Sequence, residues 1–266
     1  MGERGGRPTR VPRRRYIVAL VVVCIAGLAV LAWLNRPRDE PARATVDEAV
    51  RSFRAQDDGG HEGVGSERAL GVYRYATRGS ESVESPISDT THDYDGVSTI
   101  VVSEGRCGEV ERWQVLEGRW TEGESCPGPR GDRFAAATEF HEFFGFAQED
   151  SFRCHGVAMP RPPVKRGASF SSSCRSGDSS LTNASRVIGF ETVTIAGEPF
   201  QAIHIDSLGE LEGEVTGTAR REEWRRRSDG LLLRRSASTA TDTSVGGGTH
   251  YTERYTIELL DTQPRR

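Results

Sequence analysis

The sequence predicts a mainly β, antiparallel domain carried behind one transmembrane helix. Three observations predict it. An uncharged run of nineteen residues occupies 16–34, a long series of short runs alternates apolar with polar residues, and turn-forming clusters separate those runs. No βαβ spacing and no phosphate-cradling glycine loop interrupts the series.

Residues 1–15 form a basic tail with Arg4, Arg7, Arg10, Arg13, Arg14 and Arg15 against the single acid Glu3. The run YIVALVVVCIAGLAVLAWL (16–34) follows, long enough as a helix to cross the hydrocarbon core of a bilayer. Tyr16 and Trp33 bracket it at the levels where amphipathic rings meet headgroups. Only Arg36, Arg38 and Arg43 follow within the next fifteen residues. The excess of arginine before the span places the amino terminus in the cytoplasm and the remainder outside it, in a single-pass plasma-membrane arrangement.

A cleaved signal peptide shares the basic start and apolar centre. Its cleavage site would have to be Ala42-Arg43-Ala44, well beyond the apolar run and behind Pro37 and Pro41. A lipoprotein reading through Cys24 meets Val23 where a small residue is required. The uncleaved anchor is the reading carried forward.

Residues 35–66 read as a juxtamembrane helix and a flexible linker. In TVDEAVRSFRAQ (45–56), Val46, Ala49, Val50 and Phe53 recur at helical spacing, with Thr45 as N-cap and Glu48 in capping-box register. DDGGHEGVGS (57–66) has no periodicity and is rich in glycine.

The folded domain is expected over 67–262. GVYRYAT (71–77), VSTIVVS (97–103) and EVERWQVL (109–116) have strand character, and FAAATEFHEFFGF (134–146) is ambiguous but closer to strand. VIGFETVTI (187–195) and PFQAIHIDS (199–207) flank Ala196-Gly197-Glu198, a tight hairpin turn. REEWRRR (221–227) and LLLRRSAST (231–239) flank Ser228-Asp229-Gly230, a second hairpin. In the final run Tyr251, Glu253, Tyr255, Ile257 and Leu259 share one face, opposite Thr252, Arg254, Thr256 and Glu258.

Besides Cys24 there are Cys107, Cys126, Cys154 and Cys174, an even number that suits an oxidising compartment. Four cysteines allow three connectivities. The sequential one, 107 with 126 and 154 with 174, closes two local loops and is the expectation. A four-thiolate zinc site would need close pairs such as C-x-x-C, and there are none. Lys165 is the single lysine among 35 basic residues, the bias of a GC-rich genome such as an actinobacterium's.

The order ETVTIAGEPFQAIHI followed by EEWRRRSDGLLLRRS resembles the carboxy-terminal half of bacterial exported half-barrel families, the LolA-like lipoprotein carriers and similar domains of unknown function. A strand ending in Trp224 leads through Asp229-Gly230 into the return strand Leu231 to Arg235. The resemblance covers about residues 187–260. It implies a curved, half-barrel-like sheet whose concave face is apolar, and in the carriers that face holds acyl chains. Val193, Ile203, Ile205, Tyr255 and Ile257 would line it.

No catalytic spacing stands out. His141-Glu142 begins like a zinc-protease motif but lacks the second histidine, and His155 has no cluster of ligands around it. His204 alternates with Ile203 and Ile205 and so belongs on the solvent side. The serine-rich SFSSSC has no strand-to-helix elbow. RREEWRRR (220–227) mixes arginines with Trp224, yet an alternating strand splits them between two faces, and the reading is a solvated outer face rather than a nucleic-acid surface. The sequence therefore points to a membrane-tethered extracytoplasmic binding or interaction module with no cofactor, no metal and no nucleic-acid partner. Its partners would be the membrane and an envelope protein or lipid. A carrier of an apolar ligand and an envelope hydrolase are the alternatives.

Overall fold

The computed structural model describes residues 41–56, 68–86, 88–160, 163–243 and 248–266. The anchor predicted at 16–34, with the tail before it and Cys24 within it, lies outside the described residues. Among those described, no helix is long and apolar enough to cross a membrane.

Residues from Glu40 to Arg266 form one compact unit. It opens with α1 (Val46–Gln56) and continues through β1 (Gly71–Glu84), β2 (Asp89–Asp93), β3 (Gly96–Glu104), β4 (Glu109–Leu116) and β5 (Arg119–Cys126). The central strands are β6 (Gly131–Phe143), β7 (Phe146–Pro160), β8 (Ser169–Ser176) and β9 (Ser179–Ile195). The last four are β10 (Glu198–Glu212), β11 (Val215–Arg226), β12 (Leu232–Thr243) and β13 (Thr249–Leu259). Every neighbour in the sheet is antiparallel, and from β3 to β13 the spatial order follows the chain.

The half-barrel expectation is corrected here, because the sheet closes. Tyr75 to Glu84 of β1 pairs residue for residue with Leu259 to His250 of β13. β1 is long enough to do this while its other edge pairs with β3 over Gly71–Thr77 and with β2 over Ser80–Glu84. β2 and β3 thus act as one strand interrupted at Tyr94-Asp95, and the result is a closed, twelve-stranded antiparallel barrel. Closure leaves no end strand in the ring, which removes the row of free amides and carbonyls that the end strand of an open sheet presents, although β7 meets β8 over Arg153–Gly156 alone.

Local sequence explains the meander. Ala196 (φ 50) and Gly197 (φ 86) both take left-handed backbone, the requirement of a two-residue hairpin whose twist matches its strands. Phe144 (φ 56) and Gly145 (φ 77) do the same between β6 and β7, so FAAATEFHEFFGF is strand, turn and strand. Both disulfides follow the sequential pairing, Cys107 with Cys126 and Cys154 with Cys174. Cys154 and Cys174 stand directly opposite on β7 and β8.

Alternation sorts the side chains. Outward positions carry Arg78, Arg153, Arg175, Arg220 and Arg254, all exposed, so the outer wall is charged at points spread around the ring. Inward positions build the main core. Trp113 of β4 stacks on Tyr255 of β13 with ring centroids 4.3 Å apart, and Tyr94 meets both rings edge-on. Tyr73, Tyr75, Ile100, Val102 and Leu231 to Leu233 continue this cluster. Tyr75 donates its hydroxyl to the carbonyl of Leu232 at 2.8 Å, so the burial of that phenol leaves no polar atom unpaired.

The helix is part of this unit. Ala49 and Phe53 of α1 pack on Val72 with Leu70 and Val101 beside them, covering the outside of β1 and β3. Thr45 caps it as the sequence predicts, its Oγ1 accepting from the Glu48 amide at 3.3 Å. The chain end joins the same wall, where Val72 and Arg265 exchange backbone hydrogen bonds.

Candidate functional site

The interior of the barrel is where this fold departs furthest from an oily core. Two layers of charge run across it. In the first, Arg119 of β5 reaches Glu253 of β13 with Nε to Oε1 at 2.9 Å and Nη2 to Oε2 at 3.1 Å. Tyr94 donates to the same carboxylate at 2.9 Å. Beside it Glu81 of β1, fully buried, accepts from the Tyr251 hydroxyl at 3.2 Å and sits 3.0 Å from His92 Nδ1, 3.3 Å from His141 Nδ1 and 3.6 Å from Arg119. Burial pushes the Glu81 carboxyl up, but hydrogen bonds with His141 and His92 and the charge of Arg119 outweigh it and hold it down at about 2. Burial and the nearby Arg119 disfavour a charged His141, yet its contacts with Glu139 and Glu81 win and raise its pKa.

In the second layer Arg225 of β11 forks onto Glu111 of β4, at 3.0 and 3.2 Å, and onto Glu223 at 3.0 Å. Arg235 of β12 holds the other oxygen of Glu223 at 2.7 Å, and Arg68 pairs with Glu109 and Glu111. Burial alone would raise the Glu111 and Glu223 carboxyls, but the surrounding guanidinium groups keep both well below the ordinary range.

These pairs join strands that are not neighbours, β5 to β13 four places apart around the ring and β4 to β11 five. With the Trp113–Tyr255 stack between them they draw one part of the barrel shut. Alongside them a cavity of about 310 Å³ stays open, lined from every strand between β3 and β13 and in part by the ion-paired residues themselves. Its wall mixes small and polar side chains, among them Thr121, Ala137, Asn183, Ser185, Ser207 and Ala219, with apolar ones such as Phe134, Phe152 and Leu181, and Gly123 removes a further side chain. Close-packed interiors leave no such space.

Among the charged side chains on this wall outside the paired layers are Glu139 and Arg221. Glu139 of β6 and Arg221 of β11 both line the cavity, and the side chain of each is 46 % exposed. Arg221 reaches only Glu223, at 3.7 Å, whose carboxylate is already held by Arg225 and Arg235. Glu139 has His141 Nε2 at 4.0 Å. Burial pushes the Glu139 carboxyl up, while His141, Arg119 and Arg221 hold it below its usual value, so it carries a full charge at neutral pH.

The five residues expected to line an apolar hollow are all buried, but they are divided and packed. Val193, Tyr255 and Ile257 belong to the main core. Ile203 and Ile205 join Val187 in a separate cluster covered by Met159, Val164, Ala168 and Phe170. Tyr255 and Ile205 do touch the cavity, in a wall that mixes polar side chains with apolar ones such as Phe134, Phe152, Met159 and Leu181. RREEWRRR is split between two faces as its alternation predicts, but one of the two is the interior and not a solvated outer face. Its odd-numbered members Arg221, Glu223 and Arg225 point into the barrel, because β11 pairs them with Ser207, Ile205 and Ile203 of the inward face of β10.

His204 is on the outer side as expected, stacked on Trp224 at 4.3 Å, with both side chains bonded to Glu191 at 2.7 and 2.9 Å. His155 pairs with Ser173 at 2.8 Å, on the exposed outer wall across β7 and β8. The one cluster of metal-ligating type among the described residues, Cys107, Cys126 and Glu124, has its two sulfurs bonded to each other. Glu139 and Arg221 escaped sequence reasoning. The alternation that turns them inward was visible, but not that the inward face is hollow there. The chain matches no protein-family model, no curated protein and no solved structure.

Proposed function

We propose that the chain is a membrane-tethered, extracytoplasmic binding module that takes a small polar molecule into its barrel. The observation that carries this reading is the cavity along the two ionic layers, where hydroxyl, amide and charged side chains that water can reach stand among apolar ones. Small-molecule sites are concave and place a few polar groups at fixed positions. Here Arg119–Glu253 and Arg225–Glu111 brace the walls, so the site is formed before any ligand arrives. The tether comes from the apolar run at 16–34 and its arginine-rich flank, and the two disulfides suit the oxidising side to which that flank assigns the barrel. An acyl carrier is the weaker reading, since the apolar residues it would use are already packed against one another.

The test compares the full-length chain with Ala219→Trp, which fills the cavity from β11. Each is mixed with envelope extract, washed and examined by native mass spectrometry. The reading expects a small polar molecule on the parent chain that the filled variant has lost. Equal retention by both, or a bound acyl lipid, overturns it.

A further inference from the structure

The two loosely paired charges in the cavity say more than that it is polar. Resting on the binding reading above, we infer that the cavity is a site for a dipolar small molecule, one bearing an anionic group for Arg221 and a cationic group for Glu139, as a short peptide or free amino acid does.

The argument begins with what the other charges inside the barrel are doing. Glu81, Glu111, Glu223 and Glu253 each have at least one guanidinium or imidazole within 3.0 Å. Arg119, Arg225 and Arg235 are spent on those carboxylates. They are buried and serve the fold. Arg221 and Glu139 differ on both counts, being half exposed and separated from their partners by 3.7 and 4.0 Å, beyond a hydrogen bond. A long charged side chain directed into a barrel loses rotamer freedom and gains little from so distant a partner. Each retains hydrogen-bonding capacity toward the open space, Arg221 as a planar multidentate donor and Glu139 as an acceptor.

The signs select the ligand. A simple anion at Arg221 would lie in the field of Glu223 and Glu139, and a simple cation at Glu139 would face Arg221 and Arg119. A molecule with both charges meets each with its opposite and adds no net charge to the lumen. The middle of the wall suits what lies between two such groups. Asn183 presents an amide, while Ser185 and Ser207, 2.8 Å apart, present hydroxyls that can serve a peptide's carbonyl or amide. A cavity of about 310 Å³ is at the small end of ligand sites, which run from about 300 to 1,000 Å³, so the occupant is a small molecule rather than a folded partner.

The experiment titrates the full-length chain with four probes by calorimetry, namely alanyl-alanine, its N-acetyl form, its C-terminal amide and the neutral disaccharide maltose. The inference expects binding of alanyl-alanine that weakens at least about tenfold on blocking either end, close to 1.4 kcal/mol. In Arg221→Ala the C-terminal amide should no longer bind more weakly than the free dipeptide. In Glu139→Gln the same should hold for the N-acetyl form. Equal binding of all three dipeptide forms, binding of maltose alone, or no binding of any dipeptide form overturns the dipolar assignment. The difference between parent and Ala219→Trp in envelope extract is read in parallel. If it persists, only the ligand class has failed, and if it is also absent, the binding reading fails with it. Circular dichroism melts of both point variants confirm that loss of binding is not loss of fold.

Discussion

Arg119 and Glu253 are 134 residues apart in sequence and meet through a two-pronged ion pair inside the barrel, each with its side chain no more than 5 % exposed. That pair and its neighbour Arg225–Glu111 turn a ring of strands into a braced wall with a cavity beside it. Breaking a buried pair by neutralising one partner leaves an uncompensated charge, at a cost of about 3–5 kcal/mol. Glu253→Gln should therefore lower the urea midpoint substantially, whereas the double change Arg119→Met with Glu253→Leu should recover most of the loss. A single variant as stable as the parent would show that the pair does not brace the barrel.

Stability should have an optimum in mildly acidic solution. Glu81 is depressed from 4.5 to about 2, so its contribution is full above about 4.5 and is lost as pH falls toward 2. His141 is raised above 6.5, so its contribution is full below about 6.5 and is lost as pH rises through the raised value. Thermal melts from pH 2 to 9 should peak between these limits. Glu81→Gln should flatten the acid limb and His141→Asn the alkaline one. A profile with unchanged limbs in both variants would count against this cluster as the source.

Reduction should loosen the barrel without opening every strand. Each disulfide closes a loop of about twenty residues, worth on the order of 3 kcal/mol in the chain-entropy account. Cys107→Ser with Cys126→Ser, and separately Cys154→Ser with Cys174→Ser, should each lower the chemical stability by up to about that amount. Denaturation of the oxidised and reduced chain gives the combined value. No change on reduction would mean that strand pairing alone fixes these loops.

The aromatic stack should dominate the packing term. Trp113→Ala removes a buried indole from its contacts with Tyr255 and Tyr94 and should cost about 3–5 kcal/mol. Phe146, 79 % exposed at the β6–β7 turn, should accept serine with a change within about 0.5 kcal/mol. Guanidinium titrations of the two variants make the comparison.

The outer helix offers a check on the extent of the folded unit. Phe53→Ala should destabilise the whole barrel by about 3 kcal/mol, because Phe53 is buried on Val72 of β1. Thr45→Ala should cost about 1 kcal/mol through loss of the N-cap. If Phe53→Ala frayed the helix alone, as seen by hydrogen exchange, with the barrel unaffected, α1 would be an appendage.

Local chemistry in the chain was enough to determine a good deal of this molecule. The alternation in 251–259 fixed a strand with Tyr255, Ile257 and Leu259 on one face, and Ala196-Gly197 fixed a hairpin, because both depend on residues a few positions apart. The cysteine pairs are the ones the short loops favoured among three connectivities, and the helix cap followed from Thr45 and its third neighbour. What only the tertiary structure decided is whatever depends on contacts across the ring. A period of two says that Arg221, Glu223 and Arg225 share a face, but not that this face meets Glu111 of β4 rather than water. It also says nothing of whether β13 ends the sheet or returns to β1, since closure depends on summed twist and register through every intervening strand. The cavity that Glu139 and Arg221 both line arises from that same closure, as space left where side chains from many strands face one another.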